Sequence, residues 1–250
     1  MADNALQHHI RCKEGDIARY VLLPGSPERA LKIAQHLDEF HEVARHREYA
    51  IFTGKKFGID ITVSSTGMGC PSTAICVEEM GKIGADTFIR VGSAGGMQED
   101  IHSGSIVIYT AAWREDGTSA IYIPLNYPAV ADRHVVHALE QASKNLEIKA
   151  HVGIGSSGDA FYAKKPAGSK EMKHDANILA GEMEASALFV VSSMRGWRSG
   201  CIVAIDGNIY LGEKKKPGTE HLFEAAEENE ILIALEAIRL LYEQDKANGV

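Results

Sequence analysis

The sequence predicts an α/β fold of one domain, covering residues 1–250, with helices layered against a central sheet. Short apolar runs typical of buried strands alternate along the chain with amphipathic runs typical of helices. With 250 residues, 45% of them hydrophobic, the chain is long enough to bury one large core. It carries neither an internal repeat nor a low-complexity tract, so a repeat architecture is not expected.

The first half of the chain predicts strands and helices in alternation. The apolar run at 20–23 is typical of a buried strand. Ser26 is a favourable N-cap and Pro27 suits the first helical position, which predicts a helix that continues to about Leu37. The elements that follow are a hairpin of strands 45–52 and 59–63, a helix over 71–83 and a buried strand from residue 87.

The second half of the chain continues this alternation. The predicted strands are 105–109, 151–155 and 200–205, and the predicted helices are 132–146, 181–194 and 220–245. Residues 113–119 are predicted to form a loop. The lysine-rich stretch 163–177 is predicted to be a mobile loop or a short helix over the site.

A candidate anion site lies at the end of the strand that begins at Thr87. Arg90 follows an apolar run, and Ser93 lies within a glycine-containing turn at 92–96. A cation, a hydroxyl and bare backbone N–H groups suit an anion, and ligands of open α/β sheets bind beyond the carboxyl ends of strands. From these residues alone, an ordinary turn with one surface arginine is an equal alternative. The stretch matches neither the dinucleotide-binding nor the P-loop fingerprint.

Gly25 and Arg29 form a second candidate anion-binding corner. Arg29 falls in the first turn of the predicted helix, where a cation opposes the helix dipole unless an anion lies between them. The alternative is a surface arginine that reaches toward Glu28 or solvent.

A candidate ribose site lies in the segment 181–185, where a helix is predicted to begin. Glu182 and Glu184 would both be favoured by the helix dipole, which is a sufficient structural reason for their presence. Because the two side chains point in different directions, one of them can face inward beside Met183. An inward carboxylate that accepts hydrogen bonds from vicinal hydroxyls is a common way of holding a ribose.

Further candidate side chains lie beside predicted strand ends. Met68 is placed in a turn, where it either lines a pocket or packs in the core. Phe161 and Tyr162 are suited equally to stacking on a planar ring and to capping the core. Asp206 belongs to an Asp-Gly pair typical of hairpin turns, but residues 211–218 lack the pattern of a return strand. We therefore expect Asp206 to face a ligand.

Composition argues against several classes of protein. The net charge of −8 with no basic stripe argues against a nucleic-acid partner, while a small anionic substrate stays open. The cysteines at positions 12, 70, 76 and 201 lack Cys-x-x-Cys spacing, so neither a metal site nor a disulfide framework is expected. No apolar run approaches the length of a membrane span, and the N-terminus lacks the order of a signal peptide. We therefore expect a soluble, cytoplasmic protein without a membrane partner.

Several motifs, taken together and in order, resemble the nucleoside phosphorylase family that contains hexameric purine nucleoside phosphorylases and uridine phosphorylases. They are Pro24-Gly-Ser-Pro-Glu-Arg29, His46-Arg47-Glu-Tyr, Gly67-Met-Gly, Ile89-Arg-Val-Gly-Ser-Ala-Gly95, Asp159-Ala-Phe-Tyr and Glu182-Met-Glu184, and the resemblance covers residues 8–240. The resemblance implies a three-layer αβα sandwich around a mixed, partly barrel-like central sheet. It also implies reversible phosphorolysis of nucleosides, with inorganic phosphate as co-substrate and with no metal or organic cofactor. The implied assembly is a homo-oligomer, a hexamer built as a trimer of dimers, with each site shared between two subunits.

The same resemblance assigns roles to individual residues. Those that would bind phosphate are Gly25, Arg29, Arg90 and Ser93, with Arg47 contributed by a neighbouring subunit. Those that would surround the ribose are Met68, Glu182, Met183 and Glu184, with His9 from the neighbour at the 5′-hydroxyl. Those that would contact the base are Phe161, by stacking, and Asp206. Arg90 and Asp206 are the predicted catalytic residues.

Two positions predict which base is released. Uridine phosphorylases of this family carry a Gln-x-Arg pair shortly after the aromatic residue, and residues 162–168 contain neither glutamine nor arginine. Purine enzymes place an aspartate after the last core strand, where it protonates or hydrogen-bonds N7 of the leaving base. Asp206 stands there, and Ile205-Asp206-Gly207 is most similar to the purine nucleoside phosphorylases of apicomplexan parasites.

One feature of the bacterial purine enzymes is absent, because the arginine that assists the aspartate has no clear counterpart in 208–218. Because Asp206 is present and the Gln-x-Arg pair is absent, we nevertheless predict a purine nucleoside phosphorylase. The alternatives are a uridine phosphorylase, a hydrolytic nucleosidase of the same fold and a non-catalytic nucleoside-binding protein.

Overall fold

The computed structural model describes residues 6–163, 168–213 and 220–249. Its strands are β1 Tyr20–Leu23, β2 Glu39–His46, β3 Tyr49–Lys56, β4 Ile59–Ser64, β5 Thr87–Gly96, β6 Ile106–Glu115, β7 Ala129–Val130, β8 His151–Gly158, β9 Ala180–Glu182 and β10 Arg198–Asn208. Its helices are α1 Pro27–Ala34, α2 Cys70–Lys82, α3 Gly117–Tyr122, α4 Arg133–Asn145, α5 Lys170–Asp175, α6 Ala185–Arg195 and α7 Glu220–Ala247. None of the helices in these ranges is both long and apolar enough to span a membrane.

The central sheet closes part of itself into a barrel. Its strand order is β10-β6-β8-β9-β5-β1-β4-β3-β2, and β10 also pairs with β5, so β5, β9, β8, β6 and β10 form a closed ring. The branch lies in β5, whose first half pairs with β1 up to Arg90 and whose last residues, Gly95 and Gly96, pair with β9. Parallel and antiparallel pairs both occur, so the predicted mixed and partly barrel-like sheet is confirmed.

Helices cover both faces of this sheet. One buried apolar cluster joins α2 and α6 to the sheet through residues such as Val77, Met80 and Phe189. The other joins α1, α4 and α7 to the opposite face through residues such as Ile33 and Leu139. The predicted three-layer αβα sandwich is therefore confirmed.

The predicted strand over 45–52 is wrong, because a turn divides it. β2 ends at His46 and β3 begins at Tyr49, and Arg47 between them adopts a left-handed backbone with φ of 54°. Hairpin turns of this kind usually carry glycine or asparagine, and neither residue is present here to indicate a turn. β2 itself escaped prediction because it is an exposed edge strand with few apolar positions.

Two other segments differ from their predictions. Glu182 does not begin a helix; it ends β9, and α6 starts at Ala185. A strand of three residues is too short to produce a recognisable alternation, which explains this error. The predicted loop at 113–119 instead continues β6 to Glu115 and then begins α3, whose N-cap is Asp116.

Candidate active site

Arg90 lies in the closed barrel and is only 5% exposed. Its Nε donates to Glu182 Oε2 across 2.6 Å, and its Nη2 lies 2.5 Å from Glu184 Oε2. Its Nη1 is buried and has no hydrogen-bond partner among the residues that the structure describes. A buried guanidinium with an unused donor is suited to an acceptor that the protein itself does not supply.

Gly92 makes room for this guanidinium. A Cβ atom at position 92 would lie 2.7 Å from Arg90 Cζ, closer than real Cβ contacts allow. The predicted turn at 92–96 is therefore wrong, since β5 stays extended to Gly96 and glycine serves close packing here. Ser93, half-buried, lies three residues beyond Arg90 on the same strand.

Both carboxylate oxygens of Glu182 accept hydrogen bonds from the protein. Oε1 accepts from Ser157 Oγ at 2.5 Å, and Oε2 accepts from Arg90 Nε at 2.6 Å and from the Glu184 N–H at 2.9 Å. The Ala185 N–H lies 3.1 Å and 3.0 Å from the two oxygens. Glu182 thus supports the first turn of α6 and holds Arg90, which leaves it little capacity for a ligand.

Burial and the charge of the partner shift the pKa values of this ion pair in opposite directions. Burial raises the pKa of Glu182, and Arg90 only partly reverses that rise. Burial alone would lower the pKa of Arg90, but the carboxylates of Glu184 and Glu182 outweigh it and raise that pKa further above its usual range. Arg90 is therefore a permanent buried cation.

Glu184 lies at the N-cap position of α6 and is 4% exposed. Its Oε1 accepts from the Gly69 N–H at 2.6 Å, and its Oε2 faces Arg90 and the Met183 N–H, the latter at 3.3 Å. Met68 precedes Gly69 and is 85% exposed, which rejects the core-packing alternative for that side chain. The structure therefore brings Met68, Met183 and Glu184 together beside Arg90.

Arg29 is positioned by the predicted cap of α1. Ser26 is the N-cap, and its hydroxyl accepts from the Arg29 N–H at 3.2 Å. The guanidinium reaches α7, where Nε donates to Glu227 Oε1 at 2.7 Å and Nη1 lies 3.9 Å from Glu230 Oε1. The alternative of a surface arginine turned toward solvent or Glu28 is therefore wrong.

Gly25 lies between β1 and α1, next to the loop that follows β4. A Cβ atom there would lie 3.8 Å from the Gly67 carbonyl oxygen, and the Thr66 N–H donates to the Pro24 carbonyl at 2.9 Å. The Gly25 corner and the Gly67-Met-Gly loop are thus neighbours. This places the phosphate candidates Gly25 and Arg29 on the side of the fold where the ribose candidates meet.

His9 lies beside His46, and within the described residues neither His9 nor Arg47 forms a hydrogen bond or ion pair with Arg90 or Glu184. His9 Nδ1 lies 2.6 Å from Glu79 Oε1, and the His46 ring contacts the His9 carbonyl at 2.8 Å. Burial raises the pKa of Glu79, but hydrogen bonds from the Ile10 and His9 N–H groups and the His9 ring outweigh it, and the pKa is lowered. Arg47 follows His46 and is exposed in the turn between β2 and β3.

Phe161 and Tyr162 extend from the end of β8. They are 79% and 92% exposed and contact each other edge to face, with ring centroids 5.0 Å apart. Their exposure rejects the alternative that they cap the core. An exposed ring such as Phe161 is therefore available to stack on one face of a planar ligand.

Asp206 lies within β10 and not after it. The strand is irregular between Ile205 and Gly207, where Ala94 and Gly95 of β5 face them, so Asp206 is the bulged residue. The turn comes later, because Asn208 forms an isolated antiparallel bridge with Glu213. Asp206 is half-buried and its neighbour Ala204 pairs with Ser93, which places the carboxylate beyond the phosphate candidates along β5.

Sequence reasoning missed some of the side chains around this site. They are Ser157, Glu227 and Glu230. Ser157 lies on a strand whose end was not recognised, and the two glutamates lie on an amphipathic helix where acids are expected on the solvated face. Glu230 lies four residues from both Ala226 and Ala234, on the apolar face of the helix, and this spacing was the available signal.

Parts of the two lysine-rich segments around 164–173 and 214–216 lie outside the described residues, which omit 164–167 and 214–219. Within the described ranges, no three His, Cys, Asp or Glu side chains are grouped as a metal site. The expectation that the reaction uses no metal or organic cofactor stays a prediction.

Comparison with known proteins gives a consistent class. Residues 19–242 match the model of the phosphorylase superfamily. The chain is 44% identical to a uridine phosphorylase of Thermococcus kodakarensis, over 98% of this chain and 90% of that protein. It is 39% identical to a guanosine phosphorylase of Halorubrum lacusprofundi, over 95% of this chain and all of that protein.

A solved structure resembles the fold closely. The purine nucleoside phosphorylase of Toxoplasma gondii in complex with immucillin-H superposes with a TM-score of 0.89 at 32% identity. The match covers 96% of this chain and 97% of that one. The fold and the buried arginine between two glutamates thus define a phosphorylase. More particularly, the chain belongs to the nucleoside phosphorylase family of the phosphorylase superfamily.

Proposed function

We propose that this protein catalyses the reversible phosphorolysis of purine ribonucleosides and deoxyribonucleosides to the free base and (deoxy)ribose 1-phosphate. The observation that carries the proposal is the buried Arg90, whose Nη1 lacks a protein partner while its Nη2 contacts Glu184. An oxyanion at Nη1 would lie next to a carboxylate suited to sugar hydroxyls. That juxtaposition is what phosphorolysis of a nucleoside requires.

The phosphate would be held by side chains and backbone from several parts of the chain. In this proposal they are Gly25, Arg29, Arg90 and Ser93, with Arg47 supplied by a neighbouring subunit. Guanidinium groups suit phosphate because their planar N–H pairs match two oxygens at once. The supporting geometry is that Leu23, the last residue of β1, pairs with Arg90 on β5, which brings the corner formed by Gly25 and Arg29 beside that arginine.

The nucleoside would lie above this phosphate. Glu184 would accept from the ribose hydroxyls, Met183 and Met68 would line the sugar, and Glu182 would support them through Arg90. His9 of the neighbouring subunit would contact the 5′-hydroxyl. Phe161 would stack on the base, and Asp206 would contact its N7.

The chemical step needs one bond broken and one formed. The glycosidic C1′–N bond breaks with its electron pair leaving on the base, and a phosphate oxygen forms the new bond to C1′. Positive charge on the sugar is stabilised by the adjacent phosphate, which the arginines hold in place. The base takes up a proton at N7, which Asp206 supplies or stabilises.

Uridine phosphorolysis is the second candidate. It is favoured by the 44% identity to a uridine phosphorylase over nearly the whole chain. Against it stands the absence of glutamine and arginine from residues 162–168, since uracil would then need other groups to pair with its carbonyls and N3. The 39% identity to a guanosine phosphorylase favours the purine assignment.

We also propose that the protein is cytoplasmic and works as a homo-oligomer, either a hexamer or a dimer. The support for an oligomer is that His9 lies beside His46 and that Arg47 is exposed to solvent, so both could be presented to a neighbouring subunit.

A panel of nucleosides assayed with and without inorganic phosphate tests the function. We expect release of hypoxanthine from inosine that depends on phosphate and yields ribose 1-phosphate. Faster turnover of uridine than of inosine would transfer the assignment to the second candidate. Phosphate-independent release would indicate a hydrolase, and nucleoside binding without release in phosphate buffer would overturn the proposal.

A further inference from the structure

Glu227 anchors a predicted phosphate ligand from the C-terminal helix. Its Oε1 accepts from Arg29 Nε at 2.7 Å, and its Oε2 accepts from Lys32 Nζ at 2.5 Å. The Arg29 and Glu227 side chains are 14% and 15% exposed, so the pair is largely shielded from solvent. Burial raises the pKa of Glu227, but Lys32 and Arg29 outweigh it and lower the pKa, which keeps the carboxylate ionised.

Arg29 and Arg90 are held in the same manner. In each, a glutamate accepts the Nε–H, Glu227 for Arg29 and Glu182 for Arg90. A guanidinium carries five N–H donors in a rigid plane, so fixing Nε fixes the direction of the remaining four. Within the described ranges, Nη1 of Arg90 has no hydrogen-bond partner, and Nη1 of Arg29 lies 3.9 Å from Glu230 Oε1, which is too long for a hydrogen bond.

Strand pairing and Glu230 place the two arginines on one side of the sheet. Leu23, at the end of β1 and just before the corner that carries Arg29, pairs with Arg90 on β5. The Glu230 side chain is fully buried, and its Oε1 lies 3.9 Å from Arg29 Nη1. Burial raises the pKa of Glu230 well above its usual range, against the lowering effects of these cations.

We propose that Glu227 is a positioning residue for phosphate: it holds Arg29 by Nε so that the free Nη groups face the oxyanion that Arg90 binds. This inference rests on the proposed function, since it assumes that phosphate is the anion. Glu227 does not touch the substrate in this arrangement. Its effect passes entirely through Arg29.

The sign of a charge-removing substitution separates this role from a purely electrostatic one. If Glu227 were only a nearby negative charge, Glu227→Gln would strengthen phosphate binding by removing a repulsion. If it positions Arg29, the same substitution weakens phosphate binding because a neutral amide holds the guanidinium less firmly than a carboxylate does. Lys32 already offsets the charge of Glu227, which diminishes the electrostatic contribution.

The test compares Glu227→Gln with Glu228→Gln as a matched control. Glu228 is the next residue of the same helix, is 42% exposed, and contacts Lys32 and His36 but not Arg29. For Glu227→Gln we expect the KM for phosphate to rise about tenfold, corresponding to about 1.4 kcal/mol, while the KM for the nucleoside changes little. For Glu228→Gln we expect both values to stay near those of the wild type.

Conservative restoration sharpens the result. Glu227→Asp keeps the charge and should retain part of the phosphate affinity that Glu227→Gln loses. Equal phosphate KM values for Glu227→Gln and Glu228→Gln, or tighter phosphate binding by Glu227→Gln, would overturn the proposal.

Calorimetric titration with inorganic phosphate alone, on folded protein verified by circular dichroism, separates this inference from the proposed function. A protein that binds phosphate, loses that binding in Glu227→Gln and releases no base supports the positioning role while refuting the enzyme. If the wild type turns over nucleosides and Glu227→Gln binds phosphate as well as the wild type does, the enzyme is supported and the positioning role is refuted.

Discussion

Arg90 and Glu182 are joined by a 2.6 Å ion pair that links β5 to β9 inside the closed barrel, across 92 residues of chain. The pair is almost fully buried, with side chains 6% and 1% exposed. Buried charges are tolerated only when they are paired and hydrogen-bonded, and each oxygen of Glu182 meets that condition. The ion pair therefore fixes the orientation of the arginine on which the proposed chemistry depends.

Arg90→Met is expected to destabilise the fold and to abolish phosphate-dependent turnover. Methionine has a similar length but leaves Glu182 and Glu184 buried without their cation, a loss of about 3–5 kcal/mol. Urea unfolding followed by fluorescence measures it. Arg195→Met serves as the control, since Arg195 pairs with Glu78 on the exposed surface and its loss should barely move the midpoint. Equal midpoints for the two variants would contradict this account.

Glu184→Gln is expected to impair ribonucleosides more than 2′-deoxyribonucleosides. If Glu184 accepts from the ribose hydroxyls, losing its charge removes hydrogen bonds worth about 1.5–3 kcal/mol, or about 10- to 100-fold in kcat/KM for inosine. The fold-change for 2′-deoxyinosine should be smaller, because one hydroxyl is already missing. The ratio of the two kcat/KM values is the measurement.

Glu182→Gln is the comparison for that ratio. Both oxygens of Glu182 are occupied by the protein, so its substitution should lower the melting temperature without changing the preference between ribose and deoxyribose. A shift of sugar preference in Glu182→Gln and none in Glu184→Gln would reverse the roles assigned to the two residues.

The sequence indicated the candidate side chains around Arg90 better than it indicated the strands that carry them. Arg90, Glu184 and the Ser26-capped Arg29 were recognised from residue type and local pattern, because caps and strand ends have short-range signals. Glu182 was placed in a helix, since β9 pairs with β5 and β8 over only two or three residues and its extended form depends on those partners. Non-local pairing of this kind leaves no trace in a local pattern.

The α7 contribution could not be predicted for a related reason. Glu227 and Glu230 belong to a long helix whose sequence pattern fixes which face is apolar but not which other element meets each acid. Only the packing of α7 against β10 and β5 brings them to Arg29. Closure of the barrel, which needs β10 to pair with β5, is likewise a property of the assembled sheet.

Glu230→Gln is expected to make the protein more stable than the wild type as the pH rises. Burial raises the folded-state pKa of Glu230 above the ordinary value of 4.5, so its stabilising effect is complete below that pH. The effect is lost as the pH rises toward the folded-state pKa, because the unfolded chain releases the proton first. Glutamine is neutral at every pH and escapes this loss.

The free energies of unfolding of Glu230→Gln and wild type should therefore diverge between pH 5 and pH 8, by up to about 1.4 kcal/mol for each pH unit. Each kcal/mol corresponds to about 2–4 °C for a chain of this size. Differential scanning calorimetry at several pH values measures the gap, with Glu228→Gln as the control. A gap that stays constant with pH would show that Glu230 is ionised in the folded protein.

Asp206→Asn is expected to reduce purine turnover strongly while leaving phosphate affinity nearly intact. Asp206 is the bulged residue of β10, beyond the Ala204–Ser93 pair, and the proposed role is to deliver or stabilise the proton at N7 of the leaving base. General acid assistance of this kind is worth about 10²- to 10⁴-fold in rate. Asparagine keeps the shape and a hydrogen-bond donor but cannot give up a proton, so kcat for inosine should fall by that range. The KM for phosphate should stay within about twofold, because Asp206 contacts the base and not the phosphate in this proposal. A tenfold rise would correspond to about 1.4 kcal/mol of lost phosphate binding.

Nucleosides with a good leaving group, such as 7-methylinosine, need no proton at N7, so the Asp206→Asn variant should turn them over nearly as fast as the wild type does. Wild-type turnover of inosine by the variant, or an equal loss with 7-methylinosine, would remove Asp206 from the protonation step.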